Sequence, residues 1–330
     1  MFQKYINSRC GIVRGLSFLV LLVILWSYFY DSAITEAVLA SALRQSTPLA
    51  LGALCGLMGE RSGVINIGIE GQMLLSAFVG FLVSVWTGNL LFAVLTGVAT
   101  GAVIGLLLAF MSVSLRIDQI LGGTVINILG FGLTGYFYQV GLNTKGKLQS
   151  ISLGPLQDIP LLGPVLFNNP PITYLTLVLV LVVHYVLFHT HWGLRTRAVG
   201  EHPRAVDTLG INVFLMRYTN VVLGGAIAGL AGSFLTLEAV GSFERGMTNG
   251  RGFVALAVMI FGKWTPIGSW GAALLFGLAI ALQTQLQFGG QTIPHQFIGM
   301  LPYLLTVVVL AGFVGRARPP AAVGTPYTKE

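Results

Sequence analysis

Between Glu70 and Arg116 the chain contains no Asp, Glu, Lys or Arg. The run far exceeds the roughly 20 apolar residues that a helix needs to cross a bilayer. It is long enough for two spans, and Thr87-Gly88-Asn89 is the place to turn between them. Other charge-free runs predict spans at Gly15–Tyr30, Gln45–Gly59, Gln119–Thr144, Pro171–His189, Tyr218–Ala239 and Gly252–Gly262. Two more fall within Trp264–Gly315, divided near Gly289-Gly290-Gln291. The expectation is an all-α, polytopic integral membrane protein with about ten transmembrane helices in a single domain, residues 1–330. Only 9% of the residues are charged, against about 25% in soluble domains. That excludes a cytosolic enzyme and a disordered chain. The net charge of +7 is scattered rather than patched, which excludes a nucleic-acid partner.

The distribution of cations predicts the orientation. With the N-terminus inside, Lys4, Arg9, Arg14, Arg61, Arg116, Arg195, Arg197, Arg204, Arg217, Lys263, Arg316, Arg318 and Lys329 all fall on the cytoplasmic side. Only Lys145, Lys147, Arg245 and Arg251 fall outside, with Arg44 near an outer boundary. Both termini are then cytoplasmic. The polar segment at about 143–170 is an external loop, and the charged segment at about 192–216 is a cytoplasmic one. A cleaved signal peptide is the alternative reading of the first apolar run.

Several patterns imitate catalytic motifs. Gly141-Leu142-Asn143-Thr144-Lys145-Gly146-Lys147-Leu148 nearly fits a phosphate-binding loop, but Leu148 stands where a Ser or Thr must reach magnesium. Gly130-Phe131-Gly132-Leu133-Thr134-Gly135 has dinucleotide-loop spacing inside an apolar span, where helix packing explains it better. His189 and His191 lack a third ligand at metal-binding spacing, so no metal site is expected. No nucleophile–base grouping suggests an enzyme. Gly52/Gly56, Gly97/Gly101/Gly105 and Gly225/Gly229 read as faces where helices approach closely.

Polar residues within apolar surroundings are the candidates for function. Glu60 and Arg61 can pair at the boundary of a span. Glu70 would stand about half a span deep if a helix restarts near Ser62, and a charge there costs about 2.5–3.5 kcal/mol on insertion scales. In that helix Asn66 and Glu70 would share a face. They line a translocation pathway or fasten neighbouring helices. Gln72 follows in the same segment, and Asn127 is a second deep amide with the same two readings. Thr248 and Asn249 lie in the polar stretch from Glu238 to Arg251, an outer mouth or a solvated loop. In the charged segment, Pro203 suits the first turn of a short helix and Gly210 its end. Such a helix is a docking knob or rests on lipid headgroups.

At these residues the chain resembles the permease subunits of bacterial ABC importers of the branched-chain amino acid and simple-sugar type. Ser62-Gly63-Val64-Ile65-Asn66-Ile67-Gly68-Ile69-Glu70-Gly71-Gln72-Met73 is most similar to the nucleoside-transporter branch. The resemblance extends through Arg197–Ala205 to Gly210-Ile211, Gly250–Ala257 and Phe261–Pro266, with His202 where Asn is more usual. It implies a multi-pass protein of the bacterial cytoplasmic (inner) membrane. Its partners would be a second permease subunit, same or homologous, cytoplasmic ATP-binding subunits and an extracytoplasmic substrate-binding lipoprotein. ATP and magnesium would sit on the partner ATPase, leaving this chain without a cofactor. Asn66, Glu70, Gln72, Asn127, Thr248 and Asn249 would serve a nucleoside or related sugar. Arg197, Gly200, Glu201, Pro203, Arg204, Asp207 and Gly210 would dock the ATPase. The rival reading is an ion- or proton-coupled secondary transporter with Glu70 as proton carrier.

Overall fold

The computed structural model describes residues 26–288, 297, 299–300, 304 and 318–329. The expected first and last spans therefore lie largely outside the described residues. Helix α1 (Ser32–Arg61) opens on Asp31, whose side chain accepts from Ile34 N, a conventional N-cap. It continues through Pro48, so the span expected at Gln45–Gly59 is only the second, buried half of a 30-residue helix. Arg44, which seemed to bound that span, donates to Asn168 O (2.9 Å) and Asn169 Oδ1 (3.3 Å). A non-helical hinge, Ser62–Gly68, follows.

The hinge leads into α2 (Ile69–Thr87), which Gly88 ends at a left-handed φ of 69°. Asn89 then caps α3 (Leu90–Ala109), which runs on through a wider-wound turn to Ser114. The chain thus turns at the expected triplet. Asp118 caps α4 (Gln119–Phe137) by accepting from Ile120 N and Leu121 N. The polar segment that follows carries β1 (Ile151–Ser152), α5 (Leu162–Leu166) and β2 (Asn168–Asn169), with the two short strands antiparallel. Helix α6 (Pro171–His189) has the predicted bounds. The charged segment Trp192–Arg217, read as a loop with one short helix, contains that helix as α8 (Pro203–Thr208) and a second, unexpected one before it, α7 (His191–Glu201). Then come α9 (Val213–Ser233), α10 (Arg251–Phe261) and α11 (Pro266–Phe288). A wider-wound turn extends α9 to Val240.

Among the described residues, six helices are long and apolar enough to cross a membrane, and α10 is a shorter apolar one. The chain is mostly helical and has the make-up of a polytopic membrane protein. Helix α9 packs on α3, α1 and α2, while α10 and α11 both pack along α1. The glycine rows make the closest of these contacts. A methyl group on Gly101 would run into the carbonyl oxygen of Gly225, and one on Gly225 into that of Gly101. Gly52 and Gly56 admit Ala255 and Met259 in the same way. Of the three glycines in the Gly130–Gly135 pattern only Gly130 packs, against Gly71; a Cβ on Gly132 or Gly135 would meet nothing. Outward from this core α3, α4 and α6 expose Leu95, Val103, Leu121, Ile128, Val178 and Leu181. An apolar surface this extensive needs lipid or a partner chain to cover it.

Candidate functional site

Two helices begin in the interior. Ile69, at the start of α2, lies against Gly52, midway along α1, and Arg251, at the start of α10, comes just before the segment packed on the same stretch. Glu70 joins these two helix starts. Its carboxylate accepts from Gly250 N (2.8 Å) and Gly252 N (2.6 Å) and is fully buried. Helix N-termini carry partial positive charge from unsatisfied N–H groups, so a carboxylate is favoured there. Gly252 must be glycine-sized, because a Cβ there would sit 2.6 Å from Glu70 Cα.

The unwound hinge is mostly buried, so its backbone polar groups need partners within the protein. Two amides of α4 supply them. Gln119 Oε1 accepts from Ile65 N (2.6 Å), and Asn127 Nδ2 donates to Ile67 O (3.0 Å). Asn127 Oδ1 also accepts from Gly71 N (2.8 Å). Asn127 therefore joins helices. Asn66 lies in the hinge rather than in a helix with Glu70, which corrects the shared face expected from their spacing. Its Nδ2 donates to Gln72 Oε1 (3.0 Å) and to Cys55 Sγ (3.3 Å). Asn66 Oδ1, Gln72 Nε2 and Thr248 Oγ1 are buried with no hydrogen-bond partner among the described residues.

The pairing expected between Glu60 and Arg61 is replaced by a shared grip on Trp264. Glu60 accepts from Trp264 Nε1, and Arg61 donates to Trp264 O (2.7 Å). Lys263 and Trp264 both have left-handed φ values, 53° and 52°. This conformation is unfavourable for side chains with a Cβ, and the two bonds from α1 hold it in place. The turn between α10 and α11 is thereby locked to the end of α1.

A cavity of about 980 Å³ opens at the other end of the bundle. Its lining includes Ser41, Arg44, Gln45 and Glu238, and it reaches Asn249 and Arg251. These last two flank Gly250, the donor to Glu70. Of the six pathway candidates only Asn249 lines the cavity; Asn66, Glu70, Gln72, Asn127 and Thr248 lie buried around it and the hinge. Sequence reasoning missed Ser41, Arg44 and Gln45: a span begun at Gln45 left Ser41 and Arg44 outside the helix they belong to and made Gln45 only its boundary. Glu238, set at a mouth, faces the cavity and also accepts from Ile172 N (2.7 Å) and Thr173 N (3.2 Å) at the start of α6.

The docking candidates gather at the hinge end. Pro203 is the first residue of α8, and Gly210 follows that helix with φ 79°. Gly200 packs against the carbonyl of Arg61 so closely that a Cβ would collide with it. Arg197 stands over the Phe188 ring, 5.0 Å from its centroid. Glu201, Arg204 and Asp207 lie along the same corner. Among the described residues no group of His, Cys, Asp and Glu is arranged to hold a metal ion.

Helices that start inside a membrane bundle, beside a deep polar cavity, are features of solute carriers across membranes. The fold and site define a membrane permease. Residues 38–310 match the family described as branched-chain amino acid transport system / permease component, and the chain belongs to that family. NupQ, the guanosine ABC transporter permease protein of Bacillus subtilis (strain 168), is 39% identical over 314 residues, covering 90% of this chain and 98% of NupQ. NupC, the nucleoside ABC transporter permease protein of Lactococcus lactis subsp. cremoris (strain MG1363), is 38% identical over 311 residues, covering 89% and 97%. A second Bacillus subtilis relative, the guanosine ABC transporter permease protein NupP, is 26% identical over 292 residues, covering 83% and 81%. This ancestry favours an ABC permease over an ion-coupled carrier.

Proposed function

We propose that this chain is the pathway-forming subunit of an ATP-driven importer for nucleosides or related simple sugars, in a bacterial cytoplasmic membrane. The observation that carries the reading is the cavity of about 980 Å³ that leads to Asn249 and Arg251, beside the interior starts of α2 and α10. Its lining offers donors and acceptors together: Gln45, Asn249, Arg44 and Glu238. Nucleoside hydroxyls and base edges require both. The cavity end faces outward and receives solute from a binding lipoprotein. The hinge end faces the cytoplasm, where α8 seats an ATPase subunit that binds ATP and magnesium and hydrolyses the nucleotide. About ten spans, with both termini cytoplasmic, complete the arrangement. The unpartnered polar atoms of Asn66, Gln72 and Thr248 give the solute hydrogen-bonding sites beyond the cavity. The presence of two guanosine permease proteins in one bacterium supports a pair of unlike permease subunits, with a NupP-like chain as partner.

The test is reconstitution of this chain in proteoliposomes with its partner permease, ATPase and binding protein. Labelled guanosine should accumulate only with ATP, and Arg204→Glu should lower ATPase retention while the permease remains folded. Accumulation driven by an ion gradient without ATP would overturn the reading.

A further inference from the structure

One face of α6 stays apolar and open over most of its length. Leu175, Val178, Leu181, Val182 and Tyr185 are all exposed. At about 3.6 residues per turn they fall on one side of the helix. A stripe of this kind on a membrane protein is covered by acyl chains or by a neighbouring chain. At the hinge end the same side carries His189, also exposed, whose ring stacks on that of Tyr185 with centroids 5.6 Å apart. The apolar stripe therefore ends in a tyrosine and a histidine, side chains with an apolar body and a polar tip that suit a membrane–water boundary.

Helix α7 follows after a single residue, Thr190, which caps it by accepting from Gly193 N. This helix is two-sided. Gly193, Thr196, Val199 and Gly200 are buried, while His191, Leu194 and Arg195, at spacings of three and four, are exposed. Leu194 keeps 58% of its surface open. A leucine between basic residues on an open helix face fits a bilayer surface, where it enters the acyl boundary and the cations reach the headgroups. Arg195 is free to do so, because among the described residues it makes no hydrogen bond, ion pair or ring contact. On the side toward α6, Arg197 and Arg61 both stand over the Phe188 ring, 5.0 and 5.6 Å from its centroid. Each donates to a neutral carbonyl, Gly193 O (3.4 Å) for Arg197 and Trp264 O (2.7 Å) for Arg61. The acids of this corner are engaged elsewhere: Glu60 accepts from Trp264 Nε1, and Glu201 from Ala321 N (3.2 Å). Among the described residues the only ion pair joins Lys329 to Asp207, so none of the three arginines is neutralised by a carboxylate there.

We propose that the corner between α6 and α7 binds an anionic phospholipid, with its acyl chains along the exposed stripe of α6 and its phosphate at Arg195 and Arg197. Charge complementarity selects an anion, and the apolar stripe leading to the cations selects one that carries acyl chains. The assignment rests on the chain's being a membrane protein and not on its solute or its energy source. Gly200, on the buried side of α7, packs against the carbonyl of Arg61 at the start of the hinge. A headgroup held on the open side of α7 therefore steadies that contact from outside.

The test uses the full-length chain in phosphatidylcholine vesicles doped with photoactivatable phosphatidylglycerol or, in a parallel sample, with photoactivatable phosphatidylcholine, the reactive group lying near the glycerol backbone. Adducts are mapped by peptide. Phosphatidylglycerol should label residues 175–197 in clear excess over phosphatidylcholine. Arg195→Gln should lower that excess about fivefold, equivalent to about 1 kcal/mol. Arg116→Gln, which removes an exposed cation between α3 and α4, should leave it unchanged. Equal labelling by the two lipids overturns the proposal, as does an excess that survives Arg195→Gln or falls equally with Arg116→Gln. An excess abolished by inorganic phosphate, but not by sodium chloride of the same ionic strength, would make this a site for free phosphate and also overturns it. Labelling that persists when the ATPase subunit is added supports the lipid. Labelling that then vanishes rejects it in favour of a protein partner over α7.

Discussion

Glu70 and Glu238 do the same structural work in different surroundings. Each is buried, and each accepts two backbone N–H groups at the start of another helix: Glu70 at α10, Glu238 at α6. Glu238 adds the hydroxyl of Thr173 (2.7 Å). The partial positive charge of a helix start makes either carboxylate tolerable in a membrane interior. The difference lies on the far side of each group. Glu70 is closed in by Gly252 and the hinge, whereas Glu238 borders the large cavity near Arg44 and Arg251. A costly charge in a span is therefore not enough to mark a solute pathway. Its open side decides whether it holds the bundle together, meets the solute, or does both.

The sharpest way to break this comparison is Glu70→Ala. It strips Gly250 N and Gly252 N of their acceptor at a site where water cannot replace it. Each buried unsatisfied donor costs about 1–3 kcal/mol, so with two of them the fold should lose about 2–6 kcal/mol. Thermal unfolding of the detergent-purified chain should show a large drop in Tm, with uptake lost because little folded protein remains. A variant with unchanged Tm and no uptake would move Glu70 from the framework to the pathway.

The contrast also shows what the sequence could reveal. Local chemistry was legible: the turn at Gly88, the limits of α6, the Pro203 start of α8 and the glycine faces of α3 and α9 all depend on neighbouring residues or helical spacing. What escaped depended on partners far along the chain. Arg44 suggested a boundary, yet α1 runs past it, with the Arg44 guanidinium met by Asn168 and Asn169. Asn66 and Glu70 have helical spacing, yet the hinge unwinds because Gln119 and Asn127 satisfy its backbone from α4. No periodicity within 62–73 encodes those two amides. The cavity was hidden for the same reason, since its walls come from α1, the segment after α4 and the approach to α10.

Glu238→Gln should have an intermediate effect. The amide keeps one oxygen for the N-terminus of α6 but turns an NH2 toward a second donor, a mismatch of about 1–3 kcal/mol. Tm should fall less than for Glu70→Ala. Uptake by the folded protein should change as well, because the cavity loses a negative charge beside Arg44. If Glu238→Gln altered Tm alone, the two carboxylates would be equivalent and the open side of Glu238 would carry no function.

The smallest change in stability belongs to Asn249→Gly. Asn249 has φ 44°, in the left-handed region, and Gly250 beside it has φ 77°. Left-handed backbone disfavours a residue with a Cβ by about 1–2 kcal/mol, while glycine loses more chain entropy on folding. The two effects oppose each other, so Tm should move by only a degree or two. The cavity meanwhile loses the amide of Asn249 beside Gly250, at the point where the approach to α10 meets the Glu70 clamp. A marked rise in the KM for guanosine at unchanged Tm would assign the solute contact to the Asn249 side chain. Unchanged uptake would limit the role of this position to shaping the turn into α10, and solute recognition would then have to come from the Arg44–Gln45 wall of the same cavity.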